Sequence, residues 1–315
     1  MTTRVLLDTD LAMGAPGSDI DDGFALALAL AEPDLSLELV TTVNGNTDVV
    51  TATRLTGELL DRLGREVEVT RGSDMPLVPA EAVRGTPALS SHDWNGGTPH
   101  AAVRLVERVM GEPGELTVVA IGPLTNVALA LALEPKVATA VREIVVMGGV
   151  FLGGTGVGVM PGEFNFWVDP DAAAVVLDSG APLRLVGLDV TRRVRLERAD
   201  AARLRASGKN FATFAADRTD EWIDHLERTT PGDDWDRGSC ALHDPLAVAV
   251  VTHPGLVTWR PARVAVERHG SLTRGVAVTD LLGTDHPPEP NCSIAVDVDA
   301  ESFREYFLER IGSLP

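Results

Sequence analysis

The sequence predicts an α/β fold, an open, mostly parallel Rossmann-like sheet with helices on both faces, as one domain over residues 1–315. Two observations predict it. Short continuous apolar runs rich in Val, Ile and Leu alternate with Ala/Leu-rich stretches of helical character. Strands that are apolar on both sides are typical of parallel sheets covered by helices on both faces. In addition, no repeat, low-complexity segment or clear linker interrupts the alternation, and 315 residues suffice for a large core.

The individual elements follow from these runs. The predicted strands are 4–7, 37–43, 116–121, Glu143–Met147 and 183–188, and the predicted helices between them are 22–31, Val49–Leu63, 124–133 and Pro170–Leu177. Residues 195–230 are polar with helical character and end in the Pro/Gly/Asp-rich loop TTPGDDWDRGS, which has the length of a lid or mobile flap. A further helix begins at HDPLAVAVV. The segments ARVAVE, RGVAVTDLL and SIAVDVD predict C-terminal strands at a sheet edge, before a final helix at roughly 300–311.

Composition and charge restrict the partners and the compartment. The chain has 46 acidic and 27 basic residues, a formal net charge of −19, so nucleic acid and anionic membrane surfaces are not expected as partners. Two cysteines do not make a disulfide framework and favour a reducing cytosol. No leader pattern precedes the first strand, and the apolar runs are too short to span a bilayer. We therefore expect a soluble cytoplasmic protein.

Polar side chains gather where predicted strands end. The stretch LLDTDLAMGAPGSDIDDGFALALAL holds five carboxylates after the first strand, and further polar pairs follow later strands. These residues are Asp8, Asp10, Asp19, Asp21, Asp22, Asn44, Asn46, Thr125, Asn126, Glu163, Asn165, His243 and Asp244. In an open α/β sheet, ligands bind beyond the carboxyl ends of the strands, so these segments should converge there.

An oxygen-only set of this kind suits a hard cation. Ca²⁺ accepts six to eight oxygen ligands in flexible geometry, whereas two cysteines and scattered histidines argue against zinc. A water bound to such a cation beside Asp10 would become a nucleophile with a carboxylate to take its proton. Each feature also has a structural interpretation. Asp21, Asp22 and Asp244 lie at predicted helix starts, where acids cap free N–H groups, and His243 could simply pack.

Seven segments together resemble the nucleoside hydrolase family, in order and spacing, from about residue 5 to 299. They are DTD…DIDDGFALALAL, TTVNGN, AIGPLTNVALAL, MGG…EFNFWVDPDAA, VGLDVT, ALHDPLAVA and TRGVAVTD. The resemblance implies the nucleoside hydrolase fold, one tightly bound Ca²⁺, and hydrolysis of the N-glycosidic bond of a ribonucleoside to free base and ribose. It also suggests a homodimer or homotetramer.

The resemblance implies a role for each matching residue. The Ca²⁺ ligands would be Asp10, Asp22, Asp244 and the carbonyl of Thr125, with Asp10 also acting as general base on the metal-bound water. His243 would assist the leaving base as proton donor. The binders of the ribose hydroxyls would be Asp21, Asn46, Glu163 and Asn165.

The chain departs from the family pattern in three places. Residues 11–18 enlarge the compact acidic signature and add Asp19, although Asp10 still follows the strand directly. An Asn common in the family before the Glu163 position is missing, and Met160 is expected to fill part of the sugar pocket instead. The early His-Gly loop of the family reads HDWNGG here, so His92 and Trp94 are candidate substrate contacts. In the flap region the candidates for contact with the base are Trp222, His225 and Trp235.

Two other functions remain open from the sequence. A non-catalytic nucleoside-binding protein could use the same fold, because a fold alone does not prove activity. A Mg²⁺-dependent phosphatase is suggested by LLDTD, but Ala12 stands where that motif wants Thr or Val, and no convincing Lys or later acidic motif follows.

Overall fold

An eight-stranded sheet forms the centre of the chain, which a computed structural model describes over residues 2–78, 99–153, 160–230, 236–281 and 285–315. The sheet order is β3-β2-β1-β4-β5-β6-β12-β9, and two further pairs of strands, β10-β11 and β7-β8, lie outside it. The strands are β1 Thr3–Thr9, β2 Leu35–Thr42, β3 Glu68–Arg71, β4 Leu116–Ala120, β5 Glu143–Met147, β6 Leu183–Val186, β7 Arg195–Glu197, β8 Ser239–Ala241, β9 Val257–Ala262, β10 Val264–Val266, β11 Ala277–Thr279 and β12 Cys292–Val298.

Helices cover both faces of the sheet and enclose two hydrophobic cores. They are α1 Asp21–Ala31, α2 Val49–Leu63, α3 Ala101–Gly111, α4 Thr125–Leu133, α5 Val137–Ala140, α6 Phe164–Val168, α7 Pro170–Leu177, α8 Leu188–Thr191, α9 Arg198–Ala206, α10 Asn210–Thr229, α11 His243–Thr252 and α12 Ala300–Ser313. One core lies under α1, α2, α10, α11 and α12, and the other lies under α3, α4 and α7. Helices α1 and α11 are apolar on almost every face, because both are buried on most sides.

The strand order reverses between β1 and β4. Strands β2 and β3 extend the sheet on one side of β1, while β4, β5 and β6 extend it on the other, all parallel. Asp8, near the end of β1, lies opposite Thr41 of β2 and Ala120 of β4. A reversal of this kind opens a crevice at the carboxyl ends of the strands, where ligands bind in doubly wound folds. The predicted fold class is confirmed.

Several predicted details are wrong or incomplete. The segment SIAVDVD is β12, which lies inside the sheet between β6 and β9 and runs parallel to β6, whereas β9 forms the antiparallel edge. The segments ARVAVE and RGVAVTDLL contribute β10 and β11 to a separate ribbon. The polar stretch 195–230 begins with a strand, β7, before its two helices. Residues 231–235 of the predicted flap lie outside the described residues.

No helix within the described part of the chain is long and apolar enough to cross a membrane.

The carboxylate of Glu32 joins the end of α1 to α12. It is 2 % exposed and accepts hydrogen bonds from Tyr306 Oη (2.7 Å), Arg310 Nε (3.0 Å) and the backbone N–H of Asp34 (3.1 Å). Burial acts to raise the pKa of Glu32, but these three donors together hold it below its ordinary range. Its contribution to stability is therefore present above the ordinary carboxyl range and is lost as the pH falls through the lowered value.

We expect Glu32→Gln to lower the free energy of unfolding by about 1–3 kcal/mol at neutral pH, because a buried charged acceptor is lost. The difference from the wild type should shrink below about pH 4, which urea unfolding across pH would measure. The matched control is Glu309→Gln, since Glu309 is 75 % exposed and pairs with the same Arg310 at 3.5 Å. It should change stability by less than about 0.5 kcal/mol. Equal losses in both variants would show that burial of Glu32 contributes nothing.

Candidate active site

A cavity of about 460 Å³ opens at the carboxyl ends of the central strands. Its lining includes residues that come within about four positions after β2, β4 and β6, together with the last residue of β5: Gly45, Asn46, Ile121, Leu188 and Met147. The cavity therefore lies at the crevice that the strand order creates. The predicted site residues that line it are Asp21, Asn46, Met160, Glu163, Asn165, Trp222, His243 and Asp244.

Three buried carboxylates meet beside this cavity. Oxygen atoms of Asp21, Asp22 and Asp244 all lie within 4.8 Å of one another. Asp21 and Asp22 open α1, Asp244 lies in the first turn of α11, and the backbone N–H of Asp244 donates to Asp21 Oδ2 at 3.1 Å. Two helix N-termini thus face the group and partly offset its negative charge. Burial and mutual repulsion raise the pKa of Asp21 and of Asp244 well above the ordinary range, and burial raises that of Asp22 to about 6.

Asp10 is clamped beside this group by two glycines. A Cβ atom on Gly45 would lie 2.0 Å from Asp10 Oδ2, and one on Gly122 would lie 2.7 Å from Asp10 Oδ1. The backbone N–H of Asn46 donates to Asp10 Oδ2 at 2.6 Å, and the amide nitrogen of Asn46 donates to Asp22 Oδ2 at 3.0 Å. Asp10 Oδ1 is buried and has no hydrogen-bond partner in the described residues. The clamp fixes one oxygen of this carboxylate and leaves the other unsatisfied.

These residues fit a hard cation. Among the described residues, no arginine or lysine forms an ion pair with Asp10, Asp21, Asp22 or Asp244, although all four are at most 4 % exposed. Buried carboxylates without a positive partner are costly, and oxygen donors are the ligands that Ca²⁺ takes. The three closely spaced carboxylates include Asp21, for which the family resemblance implied a contact with the sugar. Asp10 is not one of the three; Asn46 joins it to Asp22 by donating a hydrogen bond to each.

Thr125 is buried at the start of α4, and a neighbouring aspartate orients it. Its hydroxyl donates to Asp169 Oδ2 at 2.7 Å, and the same oxygen accepts from the backbone N–H of Leu77 at 2.8 Å. Asp169 Oδ1 accepts from Ala172 and so caps α7. The Thr125 hydroxyl hydrogen is therefore committed to Asp169, which fixes the side chain at the start of α4.

Glu163 and Asn165 are held mainly by the backbone. Glu163 caps α6, where its two oxygens accept from the N–H groups of Asn165 (2.7 Å), Gly149 (3.0 Å) and Phe166 (3.0 Å). The amide nitrogen of Asn165 donates to the carbonyl of Ile121 at 2.9 Å. Its amide oxygen remains for a ligand, because that oxygen accepts no hydrogen bond from the residues that the structure describes. Met160 is 43 % exposed at the cavity wall.

The remaining wall comes from α8, α10 and α11. His243 is half-buried, with Nδ1 2.7 Å from the hydroxyl of Thr191, and Trp222 stacks on His225. Burial, together with the guanidinium groups of Arg195 and Arg192, lowers the pKa of His243 to about 3. The candidates His92, Trp94 and Trp235 lie outside the described residues.

Several residues at the cavity escaped the sequence reasoning. Arg195 lines it and donates to Asp236 Oδ1 at 2.8 Å and to the carbonyl of Ser239 at 3.0 Å, and Arg192 also lines it. Arg195 begins the polar stretch 195–230 that the sequence predicts to be helical, and Arg192 lies just before it. The Gly45 and Gly122 clamp was missed too, although NGN and IGP each follow a strand end and could have drawn attention to close backbone packing.

Comparison with known proteins shows to which family this chain is similar. A family model described as inosine-uridine preferring nucleoside hydrolase matches residues 5–305. The non-specific ribonucleoside hydrolase RihC of Klebsiella pneumoniae is 36 % identical with 100 % of each chain covered, and the pyrimidine-specific ribonucleoside hydrolase RihA of Citrobacter koseri is 33 % identical with 99 % covered. The purine-preferring ribonucleoside hydrolase from Gardnerella vaginalis has a TM-score of 0.85 at 30 % identity, covering 99 % of this chain and 98 % of its own. The chain belongs to the nucleoside hydrolase family, enzymes that hydrolyse N-glycosidic bonds.

Proposed function

We propose that this enzyme hydrolyses the N-glycosidic bond of ribonucleosides to free base and ribose, with one Ca²⁺ ion as cofactor. The observation that carries the proposal is the group of buried carboxylates beside the cavity, which no arginine or lysine of the described residues neutralises. Cleavage of the bond leaves positive charge on the ribose ring, as in glycoside hydrolysis generally. Preorganised carboxylates stabilise such a charge as it develops.

The proposed Ca²⁺ ligands are Asp10, Asp22, Asp244 and the main-chain carbonyl of Thr125. When bound, the ion would lower the pKa of a coordinated water, as cations do in hydrolytic sites. Asp10 is positioned to act as general base, because Asn46 fixes its Oδ2 and Oδ1 has no partner in the described residues.

The ribose is proposed to lie against Asp21, Asn46, Glu163 and Asn165, which line the cavity together. Asn165 offers its amide oxygen to a sugar hydroxyl, since its nitrogen is held by the carbonyl of Ile121. Asp21 offers Oδ1, since the backbone of Asp244 occupies Oδ2. Met160 would cover the apolar part of the sugar, in place of the Asn that the family often carries.

The base is proposed to lie toward Trp222 and His243, with His92 as a further contact. We assign the Thr191 hydroxyl as donor to His243 Nδ1, so that Nε2 carries the hydrogen. Because the pKa of His243 in the empty cavity is lowered to about 3, the imidazole is neutral there, and His243 would assist the departing base as a neutral Nε2–H donor. The names of the relatives include pyrimidine-specific, non-specific and purine-preferring enzymes, so the preference between purines and pyrimidines is a property of each chain. From the family we further propose a cytoplasmic homodimer or homotetramer that acts in nucleoside salvage.

Product analysis tests this function. Inosine, guanosine, adenosine, uridine and cytidine would each be incubated with the enzyme and Ca²⁺, and free base and ribose quantified by chromatography. Equal amounts of ribose and base from at least one nucleoside are expected, and the ranking would give the specificity. Binding of a nucleoside without either product would support a binding protein and contradict the proposal.

We expect His243→Ala to reduce cleavage of natural nucleosides about 10²- to 10⁴-fold, the usual range for loss of a general acid. Hydrolysis of nitrophenyl riboside should fall far less, because nitrophenolate leaves without protonation. This is checked by measuring kcat/KM of the wild type and of His243→Ala on each substrate and comparing the two ratios. Equal losses on both substrates would remove His243 as the group that assists the leaving base.

A further inference from the structure

One of the seven segments that resemble the nucleoside hydrolase family, TRGVAVTD, lies away from the cavity. It begins in the hairpin 267–276, which joins β10 to β11, and continues into β11. The structure describes every residue of this hairpin, and none of them lines the cavity. Any effect of the hairpin on the reaction must therefore pass through another part of the chain.

Hydrogen bonds within the hairpin hold its shape. The backbone N–H of Gly275 donates to the carbonyl of Glu267 at 2.7 Å, and the N–H of Arg274 donates to the carbonyl of Gly270 at 3.1 Å. The carboxylate of Glu267 accepts from the N–H groups of His269 (2.7 Å) and Gly270 (3.0 Å). Arg274 and Gly275 are therefore presented by a preformed element.

Arg274 and Gly275 dock the hairpin onto the segment that contains α6. Arg274 Nη1 donates to the main-chain carbonyl of Trp167 at 3.0 Å. Gly275 has a φ of +87°, and a Cβ atom there would lie 2.5 Å from the Cα of Trp167. A Cβ atom on Gly162 would lie 2.7 Å from the carbonyl oxygen of Gly275. The two glycines thus allow main chain to pack directly against main chain.

These contacts lie on both sides of two residues that line the cavity. Gly162 directly precedes Glu163, and the backbone N–H of Trp167 donates to the carbonyl of Glu163 at 2.9 Å. Asn165 lies between the two contact points, and both Glu163 and Asn165 line the cavity. The hairpin therefore holds the main chain that carries these two side chains.

We propose that the hairpin 267–276 sets the position of Glu163 and Asn165 for the ribose hydroxyls, with Arg274 and Gly275 as positioning residues that act through Trp167. Hydrogen bonds to hydroxyl groups weaken steeply when their distance or angle departs from the ideal. A misplacement of about 1 Å, caused outside the reacting centre, can lower a rate about a hundredfold. This inference rests on the proposed function, because it takes the ribose to lie against Glu163 and Asn165.

Arg274→Ala tests the inference through the sugar end of the site. It should lower kcat/KM for the best nucleoside by about 10- to 100-fold. The dissociation constant of free ribose, titrated calorimetrically into Ca²⁺-loaded protein, should rise by about 2- to 10-fold, which corresponds to one weakened hydrogen bond. The affinity for Ca²⁺ should stay unchanged, because its proposed ligands lie on other segments. Arg274→Lys keeps a donor for the carbonyl of Trp167 and should recover most of the loss.

Two control variants separate this role from a general loss of stability. Arg268→Ala removes a guanidinium group from the same hairpin, but that group lies 3.5 Å from Asp171 on α7. Gly275→Ala should reproduce the effects of Arg274→Ala, because its side chain would press on Trp167. Its control is Gly180→Ala, at a φ of +78° with nothing within 4 Å of the new atom. Both controls should leave kcat/KM and ribose binding unchanged, with thermal melts confirming that all variants fold.

Ribose binding keeps the two proposals distinguishable. Weaker ribose binding in Arg274→Ala and Gly275→Ala, but not in the controls, supports the positioning role even if no nucleoside is cleaved. Nucleoside cleavage by the wild type, with kcat/KM and ribose binding unchanged in both variants, would keep the hydrolase and overturn the positioning role. Equal losses in the controls, or a parallel loss of Ca²⁺ binding, would also overturn it. A wild type that neither cleaves a nucleoside nor binds ribose would contradict both proposals.

Discussion

Asp244→Asn and Asp22→Asn are each expected to abolish Ca²⁺ binding and to lower ribose release at least about a thousandfold, because a metal ion supplies several kcal/mol of transition-state stabilisation. Both carboxylates are at most 4 % exposed and belong to the group whose oxygens lie within 4.8 Å of one another. Calorimetric titration of Ca²⁺ into chelator-treated protein would measure binding, and a ribose assay would measure activity. A matched control is Asp61→Asn, an exposed acid on α2, which should change neither.

The same variants allow a test that needs no activity. Burial first, and then repulsion from Asp21, Asp22 and Asp10, raises the pKa of Asp244, so replacing it with a neutral amide should relieve both costs in the metal-free protein. Without Ca²⁺, Asp244→Asn should therefore melt at a higher temperature than the wild type, and with Ca²⁺ the order should reverse. A variant that still gains thermal stability from Ca²⁺ would contradict the assignment of Asp244 as a ligand.

Gly45→Ala is expected to be as damaging as loss of Asp10 itself. Its Cβ would lie 2.0 Å from Asp10 Oδ2, far inside van der Waals contact, so the carboxylate must leave its position. The displaced Asp10 would lose the hydrogen bond from Asn46 and its place beside Asp22. We expect kcat to fall about 10²- to 10⁴-fold, the range for a misplaced general base.

The control for this substitution lies on α2. Gly57→Ala makes the same chemical change at a helix position where nothing lies within 4 Å of the new atom. It should leave kcat unchanged and raise the free energy of unfolding by about 0.5–1 kcal/mol, because Ala is the better helix former. Comparing Gly45→Ala with Asp10→Ala in the ribose assay completes the test. Near-wild-type activity in Gly45→Ala would mean that the position of Asp10 does not matter.

The parallel sheet could be predicted because local patterns carry it. Apolar runs such as LTVVA and EIVVM are buried on both faces, and each is followed by a glycine-containing loop; the strand order then brings those loops together. The place of SIAVDVD could not be predicted in this way. It pairs on one side with β6, about a hundred residues earlier in the chain, and on the other side with β9, from which β10 and β11 separate it. The alternation of apolar and polar residues alone does not distinguish an edge strand from an interior strand.

The candidate site likewise has residues that local sequence patterns reveal and contacts that they do not. Asp10, Asp21, Asp22 and Asp244 could be named from their positions at strand ends and helix starts. The sequence left open whether such acids cap helices or bind ligands. Glu163 caps α6 and also lines the cavity, so these two positions are compatible in one residue. The glycine clamp on Asp10 and the contact between Gly275 and Trp167 depend on distances between segments remote in sequence, and no local pattern contains them.

The central claim is that the buried carboxylates serve a Ca²⁺-dependent hydrolysis of ribonucleosides. The measurement that tests it most directly is ribose release during titration of Ca²⁺ into chelator-treated enzyme, with binding stoichiometry followed on the same sample. The account predicts almost no release at the start, and a rise in step with the filling of one site per chain. Full ribose release from enzyme shown to be free of metal would contradict it.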